Sequence, residues 1–489
     1  MALEFLNNLF RARTPSNGTA VSLFNTLHRK KELFRPIRVR RVGMYHCGPT
    51  VYNYQHIGNY RPYVFADLVK RLFLYQGFSV KQVINITDVG HLTSDADEGD
   101  DKIEAGARRE QKTAGEIIKL YSDDYFANLE KLNIDTQGTE FPKATENIPE
   151  QIAFIKTLEE KGYAYKISDG IYFDTSLFKT YGKLGAVDLA GLQEGARVGV
   201  NREKRHPTDF VLWKFSKPKD LRQQEWESPW GTGFPGWHIE CSAMSTKYLG
   251  HRFDIHTGGI DHISTHHQNE IAQSEVAFGR PFVNYWLHVA HVMIDGNKIS
   301  KSLGNVILPK HVEERGIPLL AYRYWLLTGH YRTQVNFTWE ALEAAHRAFF
   351  KLERFFVEAL GTKKGSVNSE YQKQFQAAIY DDLDTPKAIA VLWNLVKDEK
   401  ISKPDKKATL LDFDRVLGLN LSESQEFIEE STKSVAKADV PTEVQKLLEE
   451  RERARIAKDF AKADALRDKI NSAGFSIEDS PTGPRLTKI

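Results

Sequence analysis

Cysteine is almost absent from this chain: 489 residues contain two, Cys47 and Cys241. One disulfide at most can form, which excludes a disulfide-stapled secreted scaffold and favours a reducing, cytoplasmic setting. No uninterrupted apolar run approaches the roughly 20 residues that a membrane helix needs, so no membrane partner is expected. Charge of one sign is missing too, since 67 Lys and Arg face 65 Asp and Glu for a net +2. That balance neither demands nor excludes a nucleic-acid partner, because basic residues can be placed locally. There is no internal repeat. A signal peptide is not expected either: in MALEFLNNLFRARTPSNGTA, Glu4 and two Asn interrupt the apolar stretch. Residues 1–20 read as an extension made of a short amphipathic piece and a flexible link, with an organelle transit peptide as the alternative.

What is present is a globular composition, 41% hydrophobic and 27% charged, on a chain too long for one core. RVRRVGMYHCG (38–48) reads as a buried strand ending in a Gly-Pro turn. RPYVFADLVKRLFLYQGF (61–78) has helical periodicity and stops at Gly77, and SVKQVINITD (79–88) is again a strand pattern. Strand, helix and strand make a βαβ unit, so the fold class is α/β with a Rossmann-like parallel sheet. The acidic run DADEGDDKIEAG (95–106) reads as a solvated face, with a mobile loop as the alternative. A change of pattern over about 115–230, including the hairpin-like YAYKISDGIYFDTS, marks an insertion. The sheet resumes at FDIHTGG (253–259), followed by a helix starting near His266-His267. These signals divide the chain into a catalytic domain over 21–330, a helical bundle over 331–435 and a small C-terminal domain over 436–489. The last contains a charged helical stretch (441–474) and a hairpin in FSIEDSPTGPRLTK.

The chemistry concentrates in three segments. MYHCGPTVYNYQHIGN holds Cys47, SPWGTGFPGWHIECSAMS holds Cys241, and TGGIDHISTHHQNEIAQSE holds His266 and Glu270. Alone, each cysteine reads as core packing. Their Gly-, Pro- and His-rich flanks point instead to metal ligands. His266 and Glu270 are four apart, so a helix presents both on one face. Two thiols, an imidazole and a carboxylate suit a tetrahedral Zn²⁺. His267 is an alternative ligand; with His266 bound, it is expected to face the nucleotide pocket or solvent. His56 and Asn59 of HIGN fall at a helix start after a strand, where backbone N–H groups and the helix dipole attract phosphate. Lys298 and Lys301 of KISKS add two cations on a loop, enough to clamp a triphosphate from its other end. Gly258 and Gly259 of TGGID allow close backbone approach, and Asp261 suits a ribose hydroxyl; a tight turn with a capping Asp is the plain alternative.

With those motifs in order, the chain resembles the cysteinyl-tRNA synthetases, a family of class I aminoacyl-tRNA synthetases. The likeness starts near FNTLHRKKELFRP and runs to RIAKDFAKADALRDKINSAG and EDSPTG. The resemblance implies one Zn²⁺ per chain on Cys47, Cys241, His266 and Glu270, and an amino-acid pocket that includes Thr87 and Trp237. It implies ATP sites at His56, Asn59, Gly259, Asp261 and Lys301, with His56, Asn59, Lys298 and Lys301 catalytic and Mg²⁺ accompanying ATP. It also implies anticodon contacts at Arg455, Phe460, Asp464 and Asp479. Its partners are tRNA(Cys), ATP and L-cysteine, with the chain acting as a monomer. Three departures stand out: Asn59 in place of the last His of HIGH, the long NITDVGHLTSDADEGDDKI, and STHHQNE in place of FPHHENE. Two rivals are weighed against this expectation. A cysteine-activating ligase for a small amino-sugar acceptor should lack the C-terminal domain, and an inactive RNA-binding paralogue should have lost HIGN or KISKS.

Overall fold

The computed structural model describes residues 20–90, 92, 101–184, 202–217, 222–300, 303–361, 363–424, 440–457, 459–480 and 483–488. Residues 1–19, Lys301, residues 95–100 of the acidic run and most of the polar segment before residue 440 lie outside them.

The chain opens with an antiparallel ribbon of β1 (Ser22–Asn25) and β2 (Lys30–Leu33). β3 (Arg41–His46), the helix Ile57–Tyr75 and β4 (Ser79–Ile84) then form a parallel βαβ unit, in register from Arg41↔Ser79 to His46↔Ile84. The helix stops where Gly77 takes φ +80, which costs glycine little. Thr139–Glu140 (β5) falls inside the stretch expected as an insertion, yet it pairs with β4 as an edge of the same sheet. A separate antiparallel sheet follows: β6 (Ala164–Ile167), β7 (Gly170–Phe173), β8 (Phe210–Phe215) and β9 (Gly233–Pro235).

The parallel sheet resumes with β10 (Phe253–Gly259), the helix His266–Phe278 and β11 (Val283–Val289). Its order is β11-β10-β3-β4-β5. From β3 the chain moves outward one way, and from β10 it moves the other. The carboxyl ends of β3 and β10 therefore flank a switch point, where open α/β sheets bind ligands. β12 (Val292–Ile294), β13 (Asn297–Lys298) and β14 (Val335–Phe337) make a small sheet beside it.

Helices Leu319–Leu327, Trp339–Arg354, Ser369–Ile379, Thr385–Lys397 and Lys403–Leu417 come next. Asp384 caps the fourth by accepting from the Lys387 N–H at 3.1 Å, as its Asp-Thr-Pro start predicts. One apolar cluster extends from the sheet into these helices, joining Val42, Leu68 and Leu287 with Phe349, Leu392 and Phe413. The helix Ile57–Tyr75 is tied to them by a buried ion pair: Arg323 Nη2 lies 2.5 Å from Asp67 Oδ2, and the same guanidinium donates to the carbonyls of Leu132, Asn133 and Leu417.

The charged stretch expected as one helix is two, Thr442–Ile456 and Phe460–Ser472. Asp459 breaks it, because its side chain accepts from the Lys462 N–H and starts a new helix. β15 (Phe475–Ser480) and β16 (Gly483–Lys488) form the expected hairpin. Val440, Val444, Ile470, Phe475, Ile477 and Leu486 give this end its own small core. Among the described residues no helix is long and apolar enough to cross a membrane.

A candidate active site

A cavity of about 690 Å³ opens at the switch point. Its wall includes Cys47, Cys241, His266, Thr87 and Trp237 on one side, and His56, Asn59, Gly259, Asp261 and Lys298 on the other. Residues more than 200 positions apart meet here because β3 and β10 end side by side.

Cys47 follows β3 and is held by its N–H on the Thr257 carbonyl at 3.3 Å. The next residue has to be glycine: a Cβ on Gly48 would lie 1.4 Å from the Asn85 carbonyl oxygen. Asn85 ties the floor together. Its Oδ1 accepts from Gly48 N at 2.9 Å and from the Cys241 thiol at 3.6 Å, and its Nδ2 donates to Thr87 Oγ1 at 3.0 Å. Thr87 in turn donates to Glu240 Oε2 at 3.0 Å. Glu240 is fully buried, and burial followed by the neighbouring Asp88 pushes its carboxyl well above the usual range.

Cys241 sits in the first turns of the helix Trp237–Leu249. His266 opens its helix and Glu270 lies one turn on, as their spacing predicts. Ligand atoms of Cys47, Cys241, His266 and Glu270 all lie within 4.8 Å of one another, and all four residues are buried. His266 Nε2 lies 3.1 Å from Glu270 Oε1, a buried carboxylate oxygen that accepts no hydrogen bond. An imidazole and an unsatisfied carboxylate oxygen beside two thiols suit a thiophilic divalent cation such as Zn²⁺. Burial raises both thiol pKa values, a cost that a bound cation reverses. His266 is oriented from behind, its Nδ1 lying 2.9 Å from His238 Nδ1. Trp237 stacks on its face at 4.1 Å between ring centroids.

His267 departs from expectation. It faces neither the nucleotide pocket nor solvent, being fully buried with Nε2 3.2 Å from Cys47 Sγ and Nδ1 2.8 Å from His288 Nε2. The helix His266–Phe278 is covered almost all round, so a turn of about 100° from His266 still points into packed protein. The acidic run is corrected at its described end as well. Asp101 and Glu104 are buried, because Arg222 bonds Asp101 at 2.8 Å and the N–H groups of Gln223 and Gln224 donate to Glu104.

On the opposite wall, His56 is the N-cap of the helix Ile57–Tyr75. Its Nδ1 accepts from Asn59 N at 3.2 Å, and Asn59 Oδ1 accepts from His56 N at 3.0 Å. This reciprocal cap fixes His56 as the tautomer with a proton on Nε2. It also explains why asparagine serves in the fourth position of HIGN. Lys298 ends β13, and its carbonyl accepts from Asn305 Nδ2 at 3.1 Å, while Asn305 Oδ1 accepts from Ser300 N at 2.8 Å. Asn305 therefore holds Lys298 and Ser300, the described side of the KISKS motif, a role visible only as the last letter of SLGN. Gly258 must stay bare because a Cβ would lie 2.7 Å from the His267 ring.

Arg455 ends one C-terminal helix, and exposed Phe460 and Asp464 lie on the next. Phe460 and Ile456 are 63% and 82% exposed and make an apolar tip. Asp479 lies in β15, its backbone opposite Pro484.

Residues 33–347 match the family described as tRNA synthetases class I (C) catalytic domain. Residues 437–483 match the cysteinyl-tRNA ligase anticodon binding domain. The chain is similar to cysteine–tRNA ligase 1 of Burkholderia lata, at 48% identity over 467 residues covering 95% of this chain and 96% of that one. It is similar to the cysteine–tRNA ligase of Treponema denticola at 43% identity over 485 residues, covering 94% and 98%. Among solved structures, the Mycobacterium tuberculosis methionyl-tRNA synthetase in complex with methionyl-adenylate aligns with a TM-score of 0.54 at 14% identity, covering 81% of this chain and 94% of that one. That likeness shows the fold alone.

Proposed function

The chain belongs to the cysteine–tRNA ligase family of class I aminoacyl-tRNA synthetases, and from that premise we propose how its residues carry out the reaction. Cysteine is activated with ATP to cysteinyl-adenylate and then transferred to the 3′ end of tRNA(Cys). In the first step a cysteine carboxylate oxygen bonds the α-phosphorus, the bond to the β-bridging oxygen breaks, and pyrophosphate leaves. A carboxylate is already a nucleophile at neutral pH, so the protein supplies position and charge rather than a general base. In the second step a terminal ribose hydroxyl attacks the activated carbonyl and AMP leaves.

His56 donates from Nε2 toward the phosphates, in the tautomer that its Asn59 cap fixes. Lys298 and Lys301 bring positive charge from the other end, with Mg²⁺ accompanying ATP. Gly258 and Gly259 let the adenosine approach the backbone, and Asp261 holds the ribose. Thr87 and Trp237 wall the amino-acid pocket. Cys47, Cys241, His266 and Glu270 hold Zn²⁺, which supplies a soft cation that prefers a thiolate to a hydroxyl. Serine and cysteine differ by one atom, and an apolar pocket would separate them only modestly. The exposed Ile456 and Phe460 tip, with Arg455, Asp464 and Asp479, reads the anticodon. The two free thiols fit a reducing cytoplasm.

The observation that carries this reading is the buried cluster of Cys47, Cys241, His266 and Glu270, whose ligand atoms lie within 4.8 Å of one another at the cavity that HIGN and KISKS line. ATP–pyrophosphate exchange with cysteine against serine tests it. Exchange with cysteine alone is expected; exchange with neither, or equal exchange with both, overturns it. The amino-sugar ligase is disfavoured by the match of residues 437–483 to an anticodon binding domain.

A further inference from the structure

Two groups of ligand atoms meet at the end of the cavity. Cys47, Cys241, His266 and Glu270 form one, and Cys47, His256, His267 and Glu270 form the other. In each group the ligand atoms lie within 4.8 Å of one another. Cys47 and Glu270 belong to both.

The second group comes within about 0.3 Å of the spacing of a coordination shell. Four ligands at 2.0–2.3 Å around a tetrahedral ion stand about 3.3–3.8 Å apart. Cys47 Sγ lies 3.2 Å from His267 Nε2, His256 Nε2 lies 3.0 Å from Glu270 Oε2, and His267 Nε2 lies 4.0 Å from Glu270 Oε1. Glu270 thus turns one oxygen to His256 and the other to His266. His267 is also braced as metal-binding histidines are. Its Nδ1 lies 2.8 Å from His288 Nε2, and His288 Nδ1 lies 2.8 Å from Thr26 Oγ1. With Thr26 accepting, both rings carry the proton on Nδ1, which leaves His267 Nε2 bare toward Cys47.

The groups differ in access and in charge. Cys47, Cys241 and His266 line the cavity; His256, His267 and Glu270 do not. The first group offers three anionic ligands, two thiolates and a carboxylate, so a divalent ion there leaves one negative charge, at the cavity wall. The second offers one thiolate and one carboxylate, so a divalent ion there is neutral. Neutrality suits a seat of which three ligands, His256, His267 and Glu270, lie off the cavity, since net charge is costly away from water.

We propose that Cys47, His256, His267 and Glu270 form a second, closed seat for a zinc-class divalent cation, alternative to the seat on the cavity. The shared Cys47 and Glu270 allow one ion at a time. An ion in the inner seat ties β3, β10 and the helix His266–Phe278 together without reaching a substrate thiol. This rests on the zinc reading above.

The test compares the wild type with Cys241→Ala and with Cys241→Ala/His267→Ala. Zinc per chain is measured after gel filtration, and thiolate ligands are counted by X-ray absorption and by the sulfur-to-metal charge-transfer band of the Co²⁺ forms. The wild type is expected to hold about one zinc with two sulfurs. Cys241→Ala is expected to keep about one zinc with one sulfur and to lose cysteine-dependent exchange, and the double variant to lose the metal. A Cys241→Ala protein that is folded by circular dichroism but free of zinc overturns the inner seat, as does equal zinc in the single and double variants. Cys241→Ser is read in the same way if the alanine variant fails to fold. A wild type without zinc overturns the underlying zinc reading instead, which keeps the two failures distinct.

Discussion

Ile299 packs onto Gly58 so closely that a Cβ at position 58 would lie 2.7 Å from its Cδ1. The two nucleotide signatures, HIGN and KISKS, are therefore in direct contact across the cavity mouth. Gly58→Ala is expected to turn the end of the Ile299 side chain away and to crowd the His56 ring, whose Cε1 and Nδ1 would lie 3.2 Å from the new Cβ. Overpacking of this kind costs about 1–3 kcal/mol, or roughly 5- to 150-fold in kcat/KM for ATP if it falls on the phosphate clamp. Ile299→Ala should restore much of that loss in the double variant, measured by exchange kinetics. A double variant as poor as Gly58→Ala would show that the contact is not the cause.

The reciprocal cap between His56 and Asn59 separates two roles that one residue could combine. Asn59→Ala removes the acceptor for the His56 N–H and should cost about 1 kcal/mol of stability. Asn59→Asp keeps an acceptor there and should melt at or above the wild-type temperature. It places a negative charge near the phosphates, so its KM for ATP should rise more than that of Asn59→Ala. Melting curves and ATP titrations of the two variants check this. An Asn59→Asp protein as destabilised as Asn59→Ala would remove the cap from the account.

Much of this site is visible in the chain because it depends on local periodicity. FDIHTGG is β10 to the residue, HIGN is at the start of a helix, and His266 and Glu270 share a helical face. What escapes is built from pairs distant in sequence. Asn85 holds Gly48 and Cys241, and Asp101 meets Arg222 only after the second sheet has folded back. Before that closure, Asp101 and Glu104 look like any solvated acid. His238, His256 and His288 brace the ligand histidines and Glu270 from strands and helices that no spacing rule connects. Arg323 and Asp67 hide in apolar helical patterns, where a charge reads as surface, although both are buried against each other. β5 has two residues and carries no period at all.

Glu353, in the helix Trp339–Arg354, gives the molecule a pH dependence remote from catalysis. Its carboxyl is pushed up to about 7 by burial, against a smaller opposing effect of the Ser424 hydroxyl, which donates to Oε1 at 3.2 Å; Oε2 has no partner. A carboxyl whose folded pKa is raised binds its proton more tightly when folded. Its stabilising contribution is full below the unfolded value near 4.5 and is lost as pH rises through about 7. Above that pH the ionised side chain is a burden of about 1–3 kcal/mol, which an amide of the same shape does not carry. Glu353→Gln is therefore expected to melt higher than the wild type at pH 8, with the difference shrinking steadily toward pH 5. Melting curves across that range decide it. A difference that stays constant with pH would mean that Glu353 does not titrate in this window, and that its burial is compensated by a partner outside the helix Trp339–Arg354 and Ser424.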